Sequence, residues 1–504
     1  MTAVDSSPGR AAGTPRSTAL VGTDRVSLTH PGWAGAEIPP GTRLLPLISA
    51  DAVRRPGVAH TRERLEALGR QRASGVWTPE AAALRERGAD IRRETLRDMA
   101  GYLDQLCASL EVNGAVVHRV STPEEAREAI GRVARHHGVS LVAKSKSMAT
   151  EEIHLTSYLN GLGIDVVETD LGEYIVQAAG QRPSHIVGPA LHLSRDDVTQ
   201  LFGDLNGAPV SDRPDDLAAF ARARLRADFK AAQMGICGVN FAAADTGTLV
   251  VVTNEGNADM VTSQPDVVVA VMPIEKVIPR LSDVGVLVPL LSDTANKQPV
   301  TTYQTWLNGP RDPDAGGDGP RELHVVIFDN GRSDVLGTPL EEVLCCIRCG
   351  NCQFACPVFR TMGGGHGYAS IYGGPIGAVL SPIIGGGADD ADLPFMSSLC
   401  GACGDACPVK IPLPDLLVEL RNRYVADHPD PVEDAGWRAW SVAWSSRVGY
   451  AASIVGARIA SVVPAGVLRR LPLASAWASV RSLPSLRDAG ALRRAARGRN
   501  RHDR

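Results

Sequence analysis

Cys346-Ile-Arg-Cys349-Gly-Asn-Cys352-Gln-Phe-Ala-Cys356-Pro357 is the stretch from which the rest of the chain is best read. Its C-x2-C-x2-C-x3-C-P spacing is that of bacterial ferredoxins, in which clustered thiolates grip 4Fe–4S clusters. Three thiolates two residues apart wrap one face of a cubane. The fourth, set before proline, turns away toward a neighbouring cluster. A second run follows, Cys400-Gly-Ala-Cys403-Gly-Asp-Ala-Cys407-Pro408, and eight of the ten cysteines lie between Cys345 and Cys407. A structural zinc site pairs two C-x2-C elements and needs only four ligands, so this supply favours iron–sulfur.

The second run is one cysteine short, because Ser397 stands where a full copy would place the first ligand. The crossed-ligand rule gives cluster one Cys346, Cys349, Cys352 and Cys407. It gives cluster two Cys356, Cys400 and Cys403. Ser397, the spare Cys345 or a partner protein could complete cluster two, or the site could hold a labile or three-iron cluster. Spacing leaves these alternatives open.

Working outward, Gly363 to Gly387 separates the runs and carries ten glycines in 25 residues. Glycine lets backbone N–H groups approach a cluster closely. Tyr368, Ile371, Tyr372, Ile376, Val379 and Leu380 predict a folded loop, with His366 as a hydrogen-bonded loop histidine. After the second run, Asp415 to Tyr424 reads as a helix.

Upstream, residues 114–335 alternate strand and helix, the pattern of a parallel sheet covered on both faces. Strands are expected at Ala115–Val120, Leu141–Ala143, Asp165–Glu168, His185–Gly188, Asp245–Asn254, Val267–Met272 and His324–Phe328. Helices are expected from Ser121 toward His137, over Met148–Leu162, ending across Phe229–Gly235, and over Ile274–Leu281. Lys144, Lys146, Glu168 and Asn254 fall at strand ends, where parallel sheets bind ligands, and so form a candidate anion pocket. Capping and turn roles are the plainer reading of the same residues. Residues 57–113 show helical spacing through Leu65, Leu68, Leu84, Ile91, Leu96, Leu103 and Leu106, with no chemical motif.

The chain has 504 residues, 44% hydrophobic and 21% charged, which suits a globular protein of several domains. Residues 1–56 read as a disordered leader without the basic and apolar regions of a secretory signal. No apolar run is long enough to span a membrane. Clustered free thiols fit a reducing compartment, so the cytoplasm is expected, with the inner face of the membrane as an alternative station. Cys107 and Cys237 read as small buried hydrophobes. Residues 429–504 form a Trp- and Arg-rich tail, and 436–504 hold 13 Arg against 2 Asp. Such a tail suits a membrane interface, a partner's groove or its own protein. No helix-turn-helix is present, which argues against specific nucleic-acid binding.

These residues together resemble the lactate utilization protein B family over about residues 57–425. The landmarks are Lys144-Ser-Lys-Ser-Met-Ala-Thr-Glu-Glu-Ile153, Glu168-Thr-Asp-Leu-Gly-Glu-Tyr174, Pro183-Ser-His-Ile186 and Thr253-Asn-Glu-Gly-Asn257, then both cysteine runs. The resemblance implies an α/β LUD domain over 114–335, similar in fold to sugar-phosphate isomerases and CoA transferases. It implies an α-helical ferredoxin-like domain over 336–428 with two 4Fe–4S clusters on Cys346, Cys349, Cys352, Cys356, Cys400, Cys403 and Cys407. It further implies an electron-transfer subunit without catalytic residues of its own. That subunit would work with a Cys-rich and a second LUD companion in oxidising L-lactate to pyruvate, with a quinone or membrane acceptor. Two rival readings are a redox-sensing scaffold and a LUD domain that itself binds a small anion.

Overall fold

The computed structural model describes residues 56–73, 77–181, 183–312, 314, 319–364, 368, 370–384, 390–429 and 431–460. The leader, His366 and the tail beyond Ala460 lie outside them. The chain divides into two compact units that meet at Arg421 and Asn422.

In chain order the strands are β1 Val116–Val120, β2 Leu141–Lys144, β3 Asp165–Glu168, β4 Met234–Gly238, β5 Phe241–Ala243, β6 Thr248–Thr253, β7 Val267–Pro273, β8 Val277–Ile278, β9 Tyr303–Leu307 and β10 Glu322–Phe328. Six of them make one wholly parallel sheet in the order β1-β10-β7-β4-β2-β3. Its central strand β7 is buried along its whole length, as parallel strands covered on both faces must be. On one face Ala126, Ile130, Val133, Ile153 and Leu159 pack against Val142, Ile236, Val269 and Phe328. The helix Pro123–His136 enters that layer through a capping box between Thr122 and Glu125, with Pro123 at its first turn.

Several local expectations fail for identifiable reasons. His185–Gly188 is a turn and not a strand, because the His185 Nδ1 accepts the N–H of Val187 at 3.0 Å. The Ile274–Leu281 helix is a single 3-10 turn followed by β8. Pro279 pushes Ile278 to an extended backbone, and β8 pairs with Ala242 and Ala243. Met148–Leu162 is broken into Met148–Glu152 and Leu155–Gly161 at His154, whose φ is 49°. The helix expected to reach Gly235 stops at Ala231, and Met234–Gly238 becomes an inner strand. Gly235 is needed there, since a Cβ would stand 2.0 Å from the Val261 carbonyl oxygen.

β6 is buried as expected but belongs to a second, mixed sheet in the order β8-β5-β6-β9. Cys237 is fully buried in β4, whereas Cys107 is only half-buried.

Three helices precede the sheet: α1 Pro56–Ala73, α2 Pro79–Arg97 and α3 Met99–Val112. α1 and α2 pack on the cysteine segment. Gly69 of α1 lies against it, where a Cβ would sit 3.1 Å from the Phe354 carbonyl oxygen. Arg85 of α2 donates to the Cys407 carbonyl at 2.7 Å and Trp77 to that of Asp405 at 3.2 Å.

In the second unit, the helices Pro431–Trp444 and Arg447–Ala460 carry a row of contacting rings, Trp437, Trp440, Trp444 and Tyr450. The three tryptophans are exposed. Among the described residues no helix is long and apolar enough to cross a membrane.

Candidate functional site: a cysteine framework beside a cationic cavity

The two cysteine runs share one backbone design. Arg348 and Leu399 have φ of 62° and 51°, and Gly350 and Gly401 have φ of 72° and 85°. Each glycine stands at the head of a one-turn helix, Asn351–Ala355 or Ala402–Ala406, and the two helices pack together. Each helix ends on an extended cysteine, Cys356 or Cys407, followed by proline.

This pairing interleaves the thiols. Cys346, Cys349, Cys352 and Cys407 line one small cavity, closed by Ile186, Ile376 and Val409 among others. Cys356, Cys400 and Cys403 are mutual electrostatic neighbours and do not line that cavity. Backbone N–H groups point at the sulfurs, from Arg348 to Cys346 at 3.4 Å, Ile411 to Cys407 at 3.3 Å and Phe359 to Cys356 at 3.5 Å. Burial pushes the thiols of Cys349 and Cys403 up to about 11 and that of Cys407 to about 12. Thiolates persist in such surroundings only against a bound cation, which removes the proton outright. The donor set, its enclosure and the aimed N–H groups therefore fit an iron–sulfur group.

The residues flanking the framework are not alike. Cys345 is fully buried beside Arg92, Glu342 and Arg93, and does not line the cysteine cavity. Ser397 repeats the position of Cys346, for its Oγ accepts the Leu399 N–H at 3.1 Å just as Cys346 Sγ accepts that of Arg348. The Tyr368 hydroxyl lies beside Cys356 within the glycine-rich loop, and Tyr368 and Tyr372 are both buried.

A buried ion network ties the framework to the parallel sheet. Arg332 pairs with Glu152 at 2.7 Å and with Glu275 at 2.6 Å, and Glu275 also holds Arg348 at 2.7 Å. Tyr372 and Asn330 each donate to Glu152 at 2.8 Å. Arg92, 1% exposed, donates to the carbonyls of Leu344, Cys345, Glu275 and Val277. Charges buried so completely persist only when matched in this way.

Next to Arg348 opens a second cavity of about 450 Å³. Residues just after β2, β3, β4 and β7 line it, which is the carboxyl edge of the parallel sheet. Lys146 and Asn254 line this cavity, but Lys144 and Glu168 do not. Lys144 is instead buried with its ammonium 2.6 Å from Glu168 and 3.2 Å from Glu151. Burial opposes its charge, but these acids prevail and keep it protonated. Sequence reasoning missed Lys276 and Arg348, which do line the cavity. Lys276 fell in a segment read as an ordinary helix, and Arg348 lay hidden between two cysteines.

Fold and site together define an iron–sulfur protein built on an α/β LUD domain with a ferredoxin-like helical region. Family models agree, with a LUD domain matching residues 103–328 and a 4Fe-4S dicluster domain matching 342–411. Lactate utilization protein B of Bacillus pumilus is 47% identical over 375 residues, covering 74% of this chain and 78% of the relative. That of Anoxybacillus flavithermus is 43% identical over 443 residues, covering 86% and 92%. The chain belongs to the lactate utilization protein B family. A crystal structure of a DUF162 family protein from Deinococcus radiodurans covers 46% of this chain and 98% of its own at 17% identity and a TM-score of 0.27, too slight a likeness to argue from.

Proposed function

We propose that this chain is an electron-transfer subunit for lactate oxidation, carrying two 4Fe–4S clusters between a lactate-oxidising companion and an acceptor such as a quinone. The observation that carries the reading is the interleaving of the runs, which puts Cys407 among Cys346, Cys349 and Cys352 around one cavity. The names of the relatives supply the link to lactate.

Bound to these residues, iron–sulfur clusters supply one-electron transfer at potentials set by ligation, hydrogen bonding and burial. Cys346, Cys349, Cys352 and Cys407 would hold the inner one. Cys356, Cys400 and Cys403 would hold the outer one, with Ser397 Oγ as its fourth ligand. The N–H groups of Arg348, Ile411 and Phe359 donate toward the sulfurs and favour added negative charge. Ile186, Ile376 and Val409 keep water from the inner set. Cys400 is exposed, and gives the outer set its face toward a partner.

Anaerobically purified protein should contain about eight irons and as many sulfides per chain. With its companion subunits, L-lactate should bleach the visible absorption and produce a reduced-cluster spin signal. Stoichiometric zinc without sulfide would end the cluster reading. Clusters that companions and lactate never reduce would end the lactate reading alone.

A further inference from the structure

Three residues lining the cavity at the sheet edge carry polar atoms with no hydrogen-bond partner among the described residues. Lys276 is 8% exposed, and its ammonium makes no hydrogen bond or ion pair among the described residues. Arg348 has an 8% exposed side chain; it gives Nη2 to Glu275 and leaves Nη1 buried without a partner. The Ser145 hydroxyl is buried without a partner as well. All three residues line the cavity, and none lines the smaller one enclosed by the cysteines. Leaving such groups unmatched costs free energy that a bound anion recovers.

The remaining wall supports that chemistry. Asn240 Oδ1 accepts the Val252 N–H at 2.8 Å and Asn254 Oδ1 accepts from Thr302 Oγ1 at 3.2 Å, so each amide keeps its N–H2 available as a donor. Two acids also line the cavity, Asp170 and Glu255, but each is already bound. Asp170 caps the N–H groups of Gly172 and Glu173, and Glu255 accepts from the Leu171 N–H. Lys146 lies electrostatically near Glu255 and donates to the Val187 carbonyl at 3.0 Å. Lys276 is the cation left over and Arg348, paired with Glu275 through Nη2, has Nη1 to spare; both lie in the field of Cys346.

We propose that this cavity binds a small 2-hydroxy or 2-oxo monocarboxylate. Its carboxylate is matched by Lys276 and Arg348, and its second oxygen by Ser145, beside the inner cysteine set. The identity of the acid rests on the lactate reading above; the presence of an anion site does not. A volume of about 450 Å³ lies within the usual range for small-molecule sites and leaves room for water beside a three-carbon acid. Because the anion sits next to Cys346, its binding and electron uptake there are coupled. Each disfavours the other by the same factor, since both add negative charge to one place.

The test uses the full-length, cluster-loaded protein under anaerobic conditions. L-lactate, pyruvate, acetate and inorganic phosphate are titrated separately by calorimetry. Lactate or pyruvate should bind saturably at one site, with acetate and phosphate at least about tenfold weaker. Lys276→Met should weaken binding by at least about tenfold, and Ser145→Ala, which leaves every charge in place, by several-fold. A second readout is the midpoint potential of the inner site. A tenfold preference for the oxidised protein lowers it by about 59 mV when the acid saturates. The inference is overturned if neither acid binds, if both variants bind as wild type does, or if phosphate binds equally well. Should Lys276→Met shift the potential identically with and without acid, Lys276 serves the cysteine set alone and the inference fails. Acid binding lost while clusters load and accept electrons from companions would sink this inference and leave the electron-transfer reading standing.

Discussion

Cys349, Cys352 and Cys407 lie in an apolar enclosure, with Arg85 of α2 on the Cys407 carbonyl, whereas Cys400 reaches solvent on the same repeated backbone. The inner set has four cysteines. The outer has three, and Ser397 stands where the repeat puts Cys346 in the inner run. Two copies of one turn-and-helix unit have thus been put to different ends. The inner copy lines an enclosed cavity, and the outer copy opens at Cys400 to the surface.

The most severe way to break the comparison is to remove one thiol from each set. Cys352→Ala should cost the inner cluster, dropping iron from about eight to about four per chain, and should destabilise the core around it. Cys400→Ala should cost only outer iron and leave the inner spin signal intact. Metal analysis with spin resonance of the reduced proteins checks both, and identical losses would mean that the sets are not separate.

Next in size is the link between the inner set and the sheet. Arg332→Met leaves Glu152 and Glu275 buried without their shared counter-ion, for an expected loss of about 3–5 kcal/mol. Anaerobic urea denaturation would show it. A change below about 1 kcal/mol would mean that water reaches the network.

Ser397 sharpens the contrast more gently. Ser397→Ala should convert the outer site to a three-iron form with a spin signal in the oxidised state, while Ser397→Cys should keep four irons and make the two copies alike. An outer site unaltered in Ser397→Ala would hand the fourth position to a partner.

The smallest effect is on the sheet side, where burial pushes the Glu173 carboxyl up to about 8. A bound metal would displace the protons of the thiols pushed up by the same burial; Glu173 lies outside that cysteine set. Because its folded value lies above its unfolded one, the native state holds the extra proton between about pH 4.3 and 8, and stability falls as pH rises through that window. Glu173→Gln should flatten this dependence, so its thermal midpoint should gain on wild type from pH 5 to 8. Parallel curves would show that Glu173 is already ionised.

That Cys346, Cys349 and Cys352 face one cavity was legible because their spacing within one turn is a local matter, settled by a few residues and their glycines. The alternation of apolar strands and capped helices was legible for the same reason, and β1, β2, β3, β7 and β10 stand close to where their patterns put them. Contacts between distant segments were not so legible. β4 read as the end of a helix because its Gly235 signals nothing until a neighbouring carbonyl crowds it. The short β8 exists only because β5 offers it a ladder. Lys144 and Lys276 are indistinguishable as letters, yet one meets Glu168 and the other an open cavity. A side chain's charge is written in the chain, but what it faces depends on which remote segments packing brings to it.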